Sequence, residues 1–291
     1  METHVTAIAD SPTRSPVGLL TTLELEITGG CQLKCTHCLS NSSPQSTHGT
    51  MTADDWRTLI TDAAALDIPQ VQLIGGEPTL NPAWTDLVSL ALSLGRKVEV
   101  YSNLFHIRPH WWSLLSREGV TLATSWYSDD PDEHDAITTR TGSYLRTRAN
   151  IQEALRRGIP LRAGIVHINE GQRVTEARAE LLSLGVTQIN TDRVRAVGRA
   201  ATEETPDVAE LCGRCGHGRA AVLPDGSLAL CVLSRFMPCG NVKDKRLADI
   251  LGSPEWWAAV ERIPARPHMG CTPDDSSDCD PANTTACDPA Y

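Results

Sequence analysis

The sequence predicts an α/β fold, a partial (β/α)6 TIM-like barrel followed by a small cysteine-rich C-terminal domain. Three observations carry that prediction. Between residues 23 and 190, short apolar or alternating runs recur, separated by amphipathic stretches of helix length. From about residue 200 that rhythm stops. Of the ten cysteines, three fall at 31–38 and seven at 212–287. Strands alternating with helices build parallel sheets through βα units. Six strands suit a partial barrel, whose chemistry gathers at the C-terminal strand ends. Periodicity alone fits an open doubly wound sheet equally well.

Taken in order, LELEI at 23–27 alternates and reads as the first strand. Thr52 and Asp55 form a capping-box-like start, with Asp for the usual Glu, to a helix through about Leu66. A buried strand, VQLI at 71–74, precedes a helix over about 82–94. KVEVY at 97–101 is the third strand, and a helix near 109–117 ends at Gly119. VTLATSW at 120–126 reads as a strand, and residues 144–157 as a helix stopped by Gly158. LRAGIVHI at 161–168, a helix over 173–184 and VTQIN at 186–190 complete the pattern. The segments are therefore an N-terminal extension (1–22), a barrel (23–200) and a cysteine-rich region (201–291). That last region starts with a polar linker at 200–210, continues with a hairpin at 222–230 turning at Pro224-Asp225-Gly226, and has a short helix near 246–260. Its last twenty residues cannot form an apolar core, and without metal are expected to be disordered.

The net charge of −10 argues against nucleic acid, which needs a basic stripe. No segment is apolar enough for a signal peptide or a membrane span, so the chain is expected in the cytoplasm. Thiols stay reduced there, and two separated cysteine groups read as two metal-binding regions rather than a disulfide framework.

Cys31, Cys35 and Cys38 follow directly on the first strand with CxxxCxxC spacing. Three thiolates on one loop can hold a four-iron cluster and leave its fourth corner open to a substrate. A structural zinc site with His37 as fourth ligand is the alternative. The spacing after a βα-type first strand resembles that of the radical SAM superfamily. The resemblance implies a 4Fe-4S cluster whose open iron binds S-adenosyl-L-methionine (SAM). It further implies reductive cleavage of SAM to a 5′-deoxyadenosyl radical that takes a hydrogen atom from substrate, and an electron donor such as flavodoxin or ferredoxin.

The second strand ends in Gly75-Gly76-Glu77-Pro78. Gly-Gly-x-Pro is in itself an ordinary turn; one βα unit after CxxxCxxC it is similar to the family's GGEP loop, which implies that it binds the SAM amine, with Glu77 accepting from it. Ser102 and Asn103, after Tyr101, either reach the SAM ribose or carboxylate or cap the next helix. The segment 125–144, with His134, Asp135 and Arg140, resembles the family's fourth-strand region, where these residues order a loop. Arg193, Arg195 and Gly198-Arg199 resemble its barrel exit, where Arg195 meets a carboxylate or bridges at the surface.

Cys212 and Cys215 form a CxxC, and Cys231 lies beyond the hairpin. With Cys239-Gly240-Asn241, this run resembles the SPASM or twitch extension of radical SAM peptide-modifying enzymes, which implies one or two auxiliary 4Fe-4S clusters. Cys271, Cys279 and Cys287 depart from the usual spacing. Which of Cys239, Cys271, Cys279 and Cys287 join Cys212, Cys215 and Cys231, and whether a second cluster forms, stays open, as does a zinc ribbon.

The resemblance favours a ribosomally synthesised peptide as substrate, with crosslinking, thioether formation or epimerisation as outcome. With about 22 residues before the first strand, no leader-binding domain is expected, and either a separate protein is expected to present the peptide or the barrel mouth to bind it. A radical SAM epimerase or dehydrogenase acting on an aminoglycoside or sugar is the competing reading, and a zinc-stabilised binding module is a third.

Overall fold

In the computed structural model, which describes residues 20–264, six parallel strands form in the order the chain makes them. They are β1 (Thr22–Glu26), β2 (Gln70–Ile74), β3 (Lys97–Tyr101), β4 (Val120–Trp126), β5 (Leu161–His167) and β6 (Gln188–Arg193). Between them run α1 (Ala53–Ala65), α2 (Trp84–Ser93), α3 (Trp112–Leu115), α4 (Pro131–Thr138), α5 (Ser143–Arg156) and α6 (Val174–Leu184). Strand order is monotonic from β1 to β6. Right-handed crossovers that never reverse direction place every helix on one face, so the sheet curls as a partial barrel. An open doubly wound sheet needs a reversal that the order lacks.

Alternation along the strands separates two layers. Leu23 and Leu25, Val71 and Leu73, and Val98 and Val100 are buried in the large core beneath the helices. The intervening residues point into the barrel, where Ile74, Tyr101 and Ala123 form a small apolar layer with Ala221 and Val232. Toward the N-terminal strand ends the interior is ionic. Arg162 clasps Glu99 through Nε and Nη2, at 2.7 and 2.8 Å, and Gln72 donates to the same carboxylate. Burial opposes the Glu99 charge, yet Arg162 holds it below the usual carboxylate range.

Thr52 and Asp55 close the expected capping box on α1: the Asp55 N–H donates to the Thr52 hydroxyl, and the Thr52 N–H to the Asp55 carboxylate. The short helix α4, absent from the sequence reading, starts at N-cap Asp130 with Pro131 behind it. It carries three acidic residues and little apolar periodicity to reveal it. Asp135 then accepts from the Gly142 and Tyr144 N–H groups and the Ser143 hydroxyl at the start of α5.

Beyond residue 200, β7 (Arg219–Val222) and β8 (Ser227–Ala229) form the expected hairpin, with Gly226 at φ 88°, and β9 (Gly240–Asn241) follows. The hairpin does not stand apart. Strand β7 pairs parallel with β1, from Thr22 opposite Arg219 to Leu25 opposite Val222, so one nine-stranded sheet runs through both parts. The helix expected near 246–260 is two, α7 (Leu247–Ile250) and α8 (Pro254–Glu261), because Ser253-Pro254 starts a new N-cap. Among the described residues no helix is long and apolar enough to cross a membrane.

Candidate active site

Loop 27–43, after β1, is shaped by backbone contacts that only glycine tolerates. The Gly76 N–H donates to the Thr28 carbonyl and the Glu77 N–H to the Gly30 carbonyl, both at 2.8 Å, which stitches the β2 loop to the β1 loop. A Cβ on Gly76 would fall on the Gly30 carbonyl, and one on Gly75, itself at φ 148°, on that of Thr28. Gly76→Ala is therefore expected to cost about 1–3 kcal/mol in chemical denaturation and to reduce iron retention, because backbone cannot yield as a side chain would.

The far side of the same loop is held by the barrel exit. Arg199 donates its backbone N–H to the Cys38 carbonyl and its guanidinium to the carbonyls of Cys35 and Ser42. Gly198, at φ 63°, lies too close to the Cys38 and Leu39 carbonyls for any side chain.

Cys31, Cys35 and Cys38 line one cavity of about 850 Å3, measured out to its open mouth, at the C-terminal ends of the strands. Gly75, Gly76 and Asn103 share its wall with Glu26, Tyr101, Ser125, Tyr127, His134 and Val232. The sulfurs are solvated by the protein. Leu33 N–H lies 3.4 Å and Asn103 Nδ2 3.5 Å from Cys31 Sγ, Ser40 Oγ lies 3.4 Å from Cys38 Sγ, and the Tyr127 hydroxyl bonds Cys35. Burial pushes the Cys31 thiol well up, with the Glu77 charge adding to it, and pushes Cys35 up to about 12. Such thiols give up their protons only to a bound cation. Among the described residues no group of three or more His, Cys, Asp or Glu could hold a single metal ion. Thiols that bind a cluster stand at separate corners rather than around one ion, and three of them leave one corner open. This donor set fits such a cluster. His37 is buried, edge-on to Tyr127 at 5.0 Å between centroids, and desolvation lowers its pKa to about 4.

The other expected residues lie behind this wall. Glu77 is fully buried and occupied: it accepts from the Thr79 N–H and hydroxyl, the Ser102 hydroxyl and the Asn103 N–H. Its carboxylate therefore faces four internal donors and ties the β2 loop to the β3 loop. Pro78 and Ser102 are likewise set back from the cavity lining. Arg195 is bidentate to Asp192 and donates to the Glu210 carbonyl, beside a smaller cavity that His37 and Leu39 also line. Sequence reasoning missed Tyr127, Ser125 and Val232; Ser125 is the penultimate residue of β4 and Tyr127 follows that strand, and only their place at a barrel strand end signals them.

The second cysteine group also assembles. Cys215 and Cys231 sulfurs lie 3.6 Å apart, and Cys212 bonds Cys215. That hydrogen bond, with Arg195 and Arg214 nearby, lowers the Cys212 thiol to about 6 and pushes Cys215 up. Cys239 is buried at the head of β9, where desolvation raises it to about 11. Cys271, Cys279 and Cys287 lie outside the described residues.

The model of the radical SAM superfamily matches residues 25–172, half of the chain, and that of an iron–sulfur cluster-binding domain, SPASM, matches residues 212–279. The AdoMet-dependent heme synthase of Methanosarcina barkeri is 29% identical over 44% of this chain and 37% of its own length. The PqqA peptide cyclase of Ruegeria pomeroyi is 28% identical over 57% of this chain and 45% of its own. The chain thus spans less than half the length of these curated relatives. In fold it is similar to Streptococcus suis SuiB, solved bound to the precursor peptide SuiA, with a TM-score of 0.69 at 14% identity, covering 85% of this chain and 71% of that one.

Proposed function

We propose, from the premise that this chain belongs to the radical SAM superfamily, that it cleaves SAM reductively at Cys31, Cys35 and Cys38 and uses the resulting radical to modify a ribosomally synthesised peptide. The observation that carries this reading is the convergence of those three cysteines on one cavity with Gly75, Gly76 and Asn103. When bound there, a 4Fe-4S cluster with one open corner supplies the electron that splits the sulfonium of SAM. The chain's own residues do the rest. Asn103, anchored by Gln32 and Phe105, directs its amide to Cys31 and the cavity. Glu77 and Ser102 hold that loop from behind, so their part in SAM binding is to position Asn103 and the glycine backbone rather than to touch the ligand. The apolar layer of Ile74, Tyr101, Ala123 and Val232 keeps water from the radical's position.

A peptide is favoured because the PqqA relative is a peptide cyclase and because the chain adds the SPASM region, where Cys212, Cys215, Cys231 and Cys239 are proposed as auxiliary-cluster ligands. The test incubates the anaerobically reconstituted protein with SAM, reductant and short peptides encoded beside its gene. Loss of two hydrogen atoms from a peptide supports crosslinking or thioether formation. Unchanged mass in ordinary water, with uptake of one deuterium when the reaction is run in deuterium oxide, supports epimerisation. Deoxyadenosine production stimulated only by aminosugars would overturn the peptide reading.

A further inference from the structure

The cysteine loop has an outer face, and its charge runs against that of the molecule. In a chain of net charge −10, three exposed cations gather there. Lys34 lies between Cys31 and Cys35, and its backbone is tied to the end of α4: its N–H donates to the Thr138 carbonyl, and Thr139 Oγ1 donates to its own carbonyl. Arg140 follows at once. Phe105 packs with Cys31 and Leu33, and the Arg140 and Arg146 guanidinium carbons stand 5.3 and 4.9 Å from the centre of its ring. Among the described residues none of the three cations has a carboxylate within salt-bridge distance. Farther along α5 Arg148 pairs with Glu180, and at its end Arg156 and Arg157 share Glu153. Leu145, next to Arg146, is 65% exposed, so an apolar side chain accompanies the charges.

The inner side of this loop is the cavity, which the proposed function fills with SAM and substrate. An electron for the cysteine-held centre must arrive from the other side. We propose that the face formed by Lys34, Arg140, Leu145 and Arg146, over the buried Phe105 ring, docks an acidic one-electron donor protein of the flavodoxin type. The inference rests on the radical SAM reading. The donor's reduced flavin loses one electron, the centre at Cys31, Cys35 and Cys38 gains it, and no proton or group is transferred. Opposite charge on the two surfaces steers the encounter and fixes its orientation, whereas the apolar residue supplies contact area. A peptide substrate has to enter the cavity, and these side chains lie outside it.

The experiment measures binding of oxidised flavodoxin to the reconstituted protein at two ionic strengths, for the parent, Lys34→Glu and the double variant Arg140→Glu/Arg146→Glu. Affinity is expected to fall about tenfold or more in the double variant, with a flatter salt dependence. Flavodoxin-driven deoxyadenosine formation falls with it while dithionite-driven formation is unchanged. Unaltered flavodoxin affinity overturns the proposal, as does a loss confined to peptide affinity, which would assign the face to substrate. Should the glutamates also lower dithionite-driven turnover, Arg140→Gln/Arg146→Gln decides: weaker flavodoxin binding at full dithionite activity supports it, and unchanged binding overturns it. If dithionite drives no cleavage even in the parent, the radical reading fails, and the binding comparison still decides the surface.

Discussion

Replacing Cys31, Cys35 or Cys38 by alanine is expected to reduce 5′-deoxyadenosine formation to background and to remove about four iron atoms per chain. The size of the effect follows from how the loop is built. It contributes three thiols and no fourth ligand, and burial holds the protons on Cys31 and Cys35 until a cation replaces them. Among the described residues no other cysteine lines that cavity, His37 packs against Tyr127, and Ser40 and Asn103 already bond the sulfurs. The control is fold. Loop 27–43 keeps its shape through backbone bonds from Gly76, Glu77 and Arg199, so the alanine variants should melt within a few degrees of the parent measured without metal. Retained deoxyadenosine production in any one of the three would remove the cysteine triad from the mechanism.

The parts of this site that were legible in the sequence are those written locally. CxxxCxxC lies within eight residues, and two adjacent glycines announce that backbone must approach backbone, as Gly75 and Gly76 do against Thr28 and Gly30. What escaped is written across distance. Tyr127 reaches Cys35 from the end of β4, and Val232 reaches the same cavity from beyond β8. A strand-end aromatic looks like any core residue until the barrel brings it to the mouth. Glu77 shows the converse: residue type and spacing singled it out, but only its five hydrogen bonds show that it points into the wall. The pairing of β7 with β1 was equally hidden, because nothing in RAAV says which of several strands it will meet.

That pairing underlies the second large effect. Replacing Cys212, Cys215 or Cys231 by alanine is expected to leave much of the SAM cleavage and to eliminate net product, read as deoxyadenosine against modified peptide in the same reaction. Forming a new bond from a substrate radical releases one electron, and an acceptor has to stand near the cavity. The β1–β7 register brings the hairpin against the barrel so that Val232, the residue after Cys231, lines the cavity that holds the three N-terminal cysteines. Glu24, inside the barrel, accepts from the Val232 N–H, and Glu26 clasps Arg235 at 2.9 and 3.2 Å. The second cysteine group is thus fixed to β1 by buried and half-buried bonds rather than carried on a tether. The same observation sharpens the test. If those residues served only to hold the sheet together, each alanine variant would lose cleavage and product in equal measure. A variant that still makes deoxyadenosine while the peptide stays unmodified separates electron removal from scaffolding.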